Sequence, residues 1–361
     1  MRTPGMGPVP WCLGVKPSVE GKVSMQAFVY RRHGDPAHVL TCEEVAAPAP
    51  PGPGEVMVRV TRRMVHPIDA LLIRGVVPAP IPAEGAIPGG DGVGIVEQVG
   101  AGVDPSTGIR PGRRVILFPV SGTWAERVVV PAAAAIPVPD DVSDTAACQI
   151  IINGITAVVL TRAAWAADSR AGIDSPLLVT AAGSSVGRNV IALARMRGAR
   201  VVAVVRSDAG AAILAQSVAG LPIVSTEHEG WPAAVTAACG GAPSVAIDPI
   251  GGDMTAKLLD LIADRGTLLM YGGLDARPPM ISTVAMTVRE LTVTGVNAPG
   301  WLTSTSAAQR AADIADLFEM ARRSPQNFAD YREFPLTEAI AALAAAQATP
   351  RRGATLLTSG A

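Results

Sequence analysis

Two different rhythms of apolar residues divide this chain. From about residue 25 to 150, short alternating runs are broken by Pro and Gly. They include Gln26-Ala27-Phe28-Val29-Tyr30, Glu55-Val56-Met57-Val58-Arg59-Val60, Gly92–Val99 and Arg114–Phe118. Alternation with a period of two predicts half-buried strands, here of a Gly-rich, mostly antiparallel β domain. After Cys148 the runs become continuously apolar and are separated by helix-length segments. The strands expected are Leu177–Thr180, Val201–Val205, Ile223–Ser225, Val245–Asp248, Thr267–Tyr271 and Leu291–Val296. Such strands are buried on both faces, so this part is α/β, a doubly wound parallel sheet with the strand count of a dinucleotide-binding domain.

The tail changes rhythm again. Ile314, Leu317, Phe318 and Ala321 form one stripe of a helix expected near Ser306–Arg323. A second helix follows Thr337 as N-cap, and a last strand, Ala354–Leu357, is expected to return to the first domain. The expected organisation is a leader over 1–24, a β-rich domain over 25–150 and 299–361, and a cofactor domain over 151–298. The leader is rich in Pro and Gly and lacks an apolar core of signal-peptide length. It reads as disordered, or as sequence upstream of the true start.

Composition narrows the function. A chain of 361 residues can bury two separate cores. Its 49% apolar content comes mainly from Ala and Val, and no run approaches a membrane span. A net charge of −1 and only 4% aromatic residues give no surface for nucleic acid or an anionic membrane. Cys12, Cys42, Cys148 and Cys239 are scattered, with no CxxC pair. They read as free thiols in a reducing compartment, which makes the cytoplasm the expected location.

The clearest chemical signal is Leu177-Leu178-Val179-Thr180-Ala181-Ala182-Gly183-Ser184-Ser185-Val186-Gly187, followed by a helix expected over Arg188–Arg197. A buried strand enters a turn of small residues and a helix leaves it. Small side chains let a pyrophosphate approach the backbone, and the helix N-terminus supplies unpaired N–H groups. Strict GxGxxG spacing is not met, because Ala182, Ser184 and Gly187 occupy its three positions. Arg206 and Ser207 end the next strand, 19 residues after Gly187, where NAD enzymes place an acid on the ribose 2′-hydroxyl. A guanidinium and a hydroxyl suit a 2′-phosphate, so NADPH is expected rather than NADH. Asp208 follows too late for the acidic role.

Several segments resemble one family. They are Tyr30-Arg31-Arg32-His33-Gly34-Asp35-Pro36-Ala37-His38-Val39-Leu40, Gly122-Thr123-Trp124-Ala125-Glu126, Val204-Val205-Arg206, Gly251-Gly252 and Tyr271-Gly272-Gly273. In order and spacing they resemble the medium-chain dehydrogenase/reductase superfamily, in its branch of quinone oxidoreductases and mitochondrial-type 2-enoyl thioester reductases. The resemblance implies a GroES-like catalytic domain, a Rossmann domain, and homodimers joined through the cofactor-domain sheets. It also implies cofactor contacts from Thr156, from Ala182, Gly183, Ser184, Ser185, Val186 and Gly187, from Arg206 and Ser207, from Tyr271, Gly272 and Gly273, and from Val296 and Asn297. Zinc-holding relatives carry three ligands, whose positions fall here at His66, at Gly90-Asp91 and near Ile151–Asn153. One candidate of three cannot make a catalytic zinc site, so a zinc-free enzyme is expected.

A nicotinamide enzyme without a metal suits conjugated carbonyls, in which hydride adds at the β-carbon and the carbonyl takes up charge as an enolate. Related enoyl reductases carry a tyrosine thought to protonate that enolate, and its position falls at Val77, which has no proton to give. The Phe-Trp usual after the last strand's glycine is replaced by Val296-Asn297. His66, where the family has Asn, is therefore a candidate donor or a loop histidine bonded to the backbone. Asp69 is a candidate beside it, or a brace for the loop. Thr156 stands near the nicotinamide or caps a helix start. Tyr271 is a donor or packs beside the cofactor. Arg74 and Trp124 are weaker candidates for substrate contacts. The expected activity is NADPH-dependent reduction of an enoyl thioester or enone. Quinone reduction, and NADPH binding with little turnover, remain open alternatives.

Overall fold

The computed structural model describes residues 24–348 and 353–360. Of the expected leader only Ser24 is among them; the rest of it, with Cys12, lies outside the described residues. The chain forms two compact units, one running to Ile151 and resuming at Phe328, the other Ile152–Asn327.

In the first unit the strand Glu55–Met64 is the hub. It pairs antiparallel with Gly92–Val99, Arg127–Pro131 and Ala354–Thr358. Val56, Val58 and Val60 alternate inward onto Val96, Val115, Leu117, Val128 and Val130, which is why this stretch holds as a strand. Arg114–Leu117 and Ala135–Pro137 extend the sheet. Ser24–Val29 pairs with Thr41–Ala46 in a separate ribbon. One parallel pair, Tyr331–Pro335 with Ala354–Thr358, breaks the otherwise antiparallel pattern. A second core gathers Phe28, Val65, Ile73 and Trp124 with Leu336, Ala339, Leu343 and Leu357 from the C-terminal segment. Gly89 lies at φ +101°, and a Cβ there would meet Thr123 Oγ1 at 2.2 Å, so only glycine fits beneath the Gly-Thr-Trp segment.

Arg63 fixes that segment. Its guanidinium is fully buried and donates to the carbonyls of Thr123 and Ala125 and to Ser359 Oγ. Burial pulls its pKa down to about 9.

The second unit carries six parallel strands, numbered here along the chain: β1 Leu177–Val179, β2 Val201–Val205, β3 Ile223–Ser225, β4 Val245–Asp248, β5 Thr267–Met270 and β6 Thr292–Gly295. Their spatial order is β3-β2-β1-β4-β5-β6. The chain changes direction between β1 and β4, which opens the crevice that nucleotides use at strand carboxyl ends. Leu178, Val202, Val204, Ala246 and Leu268 form the buried seam. β6 departs from the expectation of a strand buried on both faces: Thr292, Thr294 and Gly295 are exposed, because it is an edge strand.

Four further expectations need correction. The 299–327 stretch joins the second unit, so the later boundary is at 327/328 rather than 298/299. Its helix Ala307–Arg323 turns Asp313 inward, where the carboxylate accepts from Arg162 Nη2 (2.6 Å), Trp301 Nε1 (2.6 Å) and Gln309 Nε2 (2.9 Å). Thr337 is not an N-cap; it sits inside a 3₁₀ turn, Leu336–Glu338, and Glu338 precedes the helix Ala339–Gln347. Thr156 is not at a helix start, because the helix Asp144–Ala167 continues on both sides of it. That same helix has 24 residues and is long and apolar enough to cross a membrane, contrary to the sequence reading. Ile150, Ile151, Ile155 and Leu160 are buried in protein, as in a core helix.

Replacing Arg63 by Ala is expected to cost about 3 kcal/mol of stability, since it leaves two buried carbonyls without donors and opens a cavity. Calorimetric unfolding of the variant measures this; an unchanged Tm would refute the role given to the guanidinium.

Candidate functional site

The turn after β1 is built by local geometry. Ala181 takes a left-handed conformation, φ +46°, which costs strain in a residue with a Cβ. The bend lets Ser184 N reach the Ala181 carbonyl at 2.9 Å. Ser184 then caps the helix Ser185–Met196, its Oγ accepting from Gly187 N at 3.1 Å. A Cβ on Gly187 would lie 2.7 Å from the Ala181 carbonyl oxygen, so glycine is required for the helix to sit this close to the strand end. A Cβ on Gly183 would meet nothing within 4 Å, which leaves open space over the turn. The residues fit a pyrophosphate: small side chains, a capped helix start and room above the backbone.

Around this turn Thr180 Oγ1 bonds to the Asp248 carboxylate, whose other oxygen accepts from Gly251 N at 2.8 Å. Burial raises the Asp248 carboxyl above its usual range. Tyr271 follows β5, and its hydroxyl bonds to Ser184. Burial pushes the phenol well above its ordinary pKa, which makes it a weaker acid. Gly272 lies against Pro249, where a Cβ would be 3.0 Å from the carbonyl oxygen, whereas Gly273 is open. Val296 N continues the ladder to Met270 O at 2.7 Å, and Asn297, exposed, begins the turn Ala298–Gly300. Thr156 Oγ1 donates to Ile152 O at 2.7 Å within its own helix.

At the end of β2, Arg206 is exposed and its guanidinium makes no hydrogen bond or ion pair among the described residues. Ser207 Oγ accepts from Gly210 N at 3.2 Å as N-cap of the helix Asp208–Ser217, leaving its O–H to donate. The turn, Arg206, Tyr271 and Val296 thus all stand at the carboxyl ends of the parallel strands.

The first unit holds a separate polar group. His66 is the N-cap of the helix Pro67–Ile73, and its backbone N–H donates to Asp69 Oδ2 at 2.7 Å. His66 Nε2 lies 2.9 Å from Asp91 Oδ2, with the side chains 3% and 1% exposed. Asp91 Oδ1 is buried and has no partner among the described residues. Thr123 Oγ1 donates to the Asp91 carbonyl at 2.6 Å. Burial raises Asp69 to about 7 against the pull of His66, and Asp69 braces the loop in this geometry. Val77 is half-buried, Arg74 Nη2 meets Gln347 Oε1 at 3.2 Å, and Trp124 is fully buried in the second core. Sequence reasoning weighed Asp91 only as a zinc-ligand position and missed it as the partner of His66, 25 residues away; it also missed Arg63. Among the described residues no three His, Cys, Asp or Glu side chains gather as metal ligands.

Residues 52–140 match the family described as alcohol dehydrogenase GroES-like domain, and residues 185–314 match zinc-binding dehydrogenase. The mitochondrial enoyl-[acyl-carrier-protein] reductase of Bos taurus is 29% identical over 326 residues, covering 89% of this chain and 85% of that one. Among solved structures, a putative NADPH:quinone reductase from Bacillus thuringiensis superposes with a TM-score of 0.80 at 26% identity, over 94% of this chain and 100% of that one. An Escherichia coli quinone oxidoreductase complexed with NADPH shares the fold, with a TM-score of 0.78 at 22% identity over 92% and 99% of the two chains.

The Asp69 carboxyl gives a pH test. Its folded pKa, about 7, lies above the ordinary 3.8, so the folded state holds a proton that the unfolded chain releases. That contribution is complete below 3.8 and is lost as pH rises through about 7. The Tm of wild type minus that of Asp69→Asn is expected to fall steadily across this window. A difference that does not vary with pH would refute the assignment.

Proposed function

Because the chain belongs to the medium-chain dehydrogenase/reductase superfamily, in its branch of enoyl and quinone reductases, we propose that it is an NADPH-dependent reductase of a conjugated carbon–carbon double bond, in an enoyl thioester or an enone. The observation that carries this reading is the Ser184-capped turn, with an uncommitted guanidinium at the end of the neighbouring strand. When bound, NADPH supplies a hydride to the carbon β to the substrate carbonyl.

The N–H groups at the start of the helix Ser185–Met196 hold the pyrophosphate, with Ala182, Gly183, Ser185 and Val186 giving it room. Arg206 and the Ser207 hydroxyl meet the 2′-phosphate. Thr156, Tyr271, Gly272, Gly273, Val296 and Asn297 line the nicotinamide side. No metal polarises the carbonyl in this reading, so the substrate's own conjugation takes up the charge. Val77 has no proton to give, and the raised Tyr271 phenol is a poor acid. His66, buried against Asp91, and Asp69 beside it, which holds its proton up to about pH 7, are the side chains left to deliver the proton, with water as the alternative source. The protein is placed in the cytoplasm, where Cys42, Cys148 and Cys239 stay as free thiols.

NADPH consumption by the purified protein, with a crotonyl thioester and a small ortho-quinone offered side by side, tests the activity. Thioester turnover is expected, and His66→Asn should slow it about 10²-fold if the imidazole donates the proton. Val77 favours a second reading, quinone reduction, which needs no dedicated donor; turnover of the quinone alone would establish it. Turnover of neither, with NADPH still bound, would overturn the substrate class.

The partner we propose is a second copy of the chain, joined along β6. This strand pairs only with β5 among the described residues, and Met280, Val284 and Val288, which precede it in the chain, are 84%, 69% and 77% exposed. Light scattering is expected to give twice the 36.9 kDa chain mass, and Val284→Asp with Val288→Asp to give monomers. A monomeric wild type would refute the dimer.

A further inference from the structure

The loops after β2 and β3 are latched together. Thr226 N donates to Val205 O at 2.9 Å, and Asp208 N donates to Glu227 Oε2 at 2.9 Å. His228 Nε2 lies 2.9 Å from Asp208 Oδ2, and the Ser225 hydroxyl also bonds to that carboxylate. The His228 bond, with the Ser225 bond second, holds the Asp208 carboxyl below its usual range. The His228 carbonyl is tied to Trp231 N at 3.1 Å, at the start of the helix Trp231–Cys239. The imidazole is therefore carried on an anchored loop and engages an acid two residues beyond Arg206.

That acid matters for cofactor choice. Asp208 stands too late in the chain to take the ribose hydroxyls as the acid of an NAD enzyme does, but its negative charge at this edge of the sheet repels a 2′-phosphate. Two residues from Arg206, an unheld Asp208 would also compete with the phosphate for the guanidinium. We propose that His228 is a specificity-determining residue: by holding Asp208 it keeps Arg206 open to the 2′-phosphate and so selects NADPH over NADH. The proposal rests on the nucleotide-site reading above. Glu227 is tied back to this loop through the bond its Oε2 accepts from the Asp208 N–H.

The pair is exposed, 68% for His228 and 60% for Asp208. The expected effect is therefore modest, and it must be read as a difference between two nucleotides. Fluorescence titration of the full chain with NADPH and with NADH supplies that difference. His228→Ala should raise the Kd for NADPH roughly 3- to 10-fold while that for NADH moves by less than about twofold. Adding Asp208→Asn to His228→Ala should return NADPH to within about twofold of wild type, because the competing charge is gone. An unchanged NADPH Kd in His228→Ala overturns the proposal. So does an equal loss for both nucleotides, which marks a disturbed loop, or a double variant that does not recover. A wild type that binds neither nucleotide sinks the underlying site reading along with it, an outcome distinct from all three.

Discussion

How closely the helix Ser185–Met196 is drawn onto the end of β1 governs everything else at the nucleotide edge. The Ala181 carbonyl and the Gly187 Cα share a space with no room for a methyl group. That approach forces the left-handed turn at Ala181 and puts Ser184 where it can cap the helix. It also brings the Ser184 side chain within reach of the Tyr271 hydroxyl. The strain at Ala181 is held because Thr180 and Ala182 on either side are locked into the sheet, by bonds to Ile247 and Val204. The open space over Gly183 is thus a by-product of backbone packing.

The first unit solves a different problem. It carries buried polar groups, His66, Asp69, Asp91 and Arg63, that water cannot reach. Each must be satisfied by protein or left costly. Arg63 spends its donors on carbonyls and a hydroxyl, and His66 and Asp69 satisfy one another through a capping box. The buried Asp91 Oδ1 is the exception, an acceptor without a donor among the described residues. Orphaned acceptors of this sort concentrate where a ligand or water completes the structure.

Much of the fold was legible because strands of this protein are short apolar runs with clear ends; Gly92–Val99, Val201–Val205, Ile223–Ser225 and Val245–Asp248 are found where alternation and continuity place them. What hydropathy could not convey is which surface an amphipathic stripe meets. Leu317 and Phe318 announce a packed face, but only the Asp313 contacts reveal that the helix belongs to the nucleotide unit. Arg63 is illegible for a sharper reason. Strict alternation from Val56, Val58 and Val60 would point Arg62 inward and Arg63 to solvent. A register shift between Val60 and Arg62 reverses the faces, and no local signal marks that bulge. Small residues at 182–187 marked the tight turn between β1 and the helix Ser185–Met196, whereas the pairing of His66 with Asp91 depends on strands that meet only after folding.

The first unit is written in two pieces of chain, with the whole of the other unit between them. The strand Glu55–Met64 receives its neighbour Ala354–Thr358 from nearly the far end of the sequence. During synthesis, the second unit can fold as soon as it leaves the ribosome, while the first waits with an open sheet edge and an uncovered apolar core. Leu336, Ala339, Leu343 and Leu357 arrive last to close that core. The interval in which that edge stands open is therefore set by translation speed, and the part exposed is the first made, not the last.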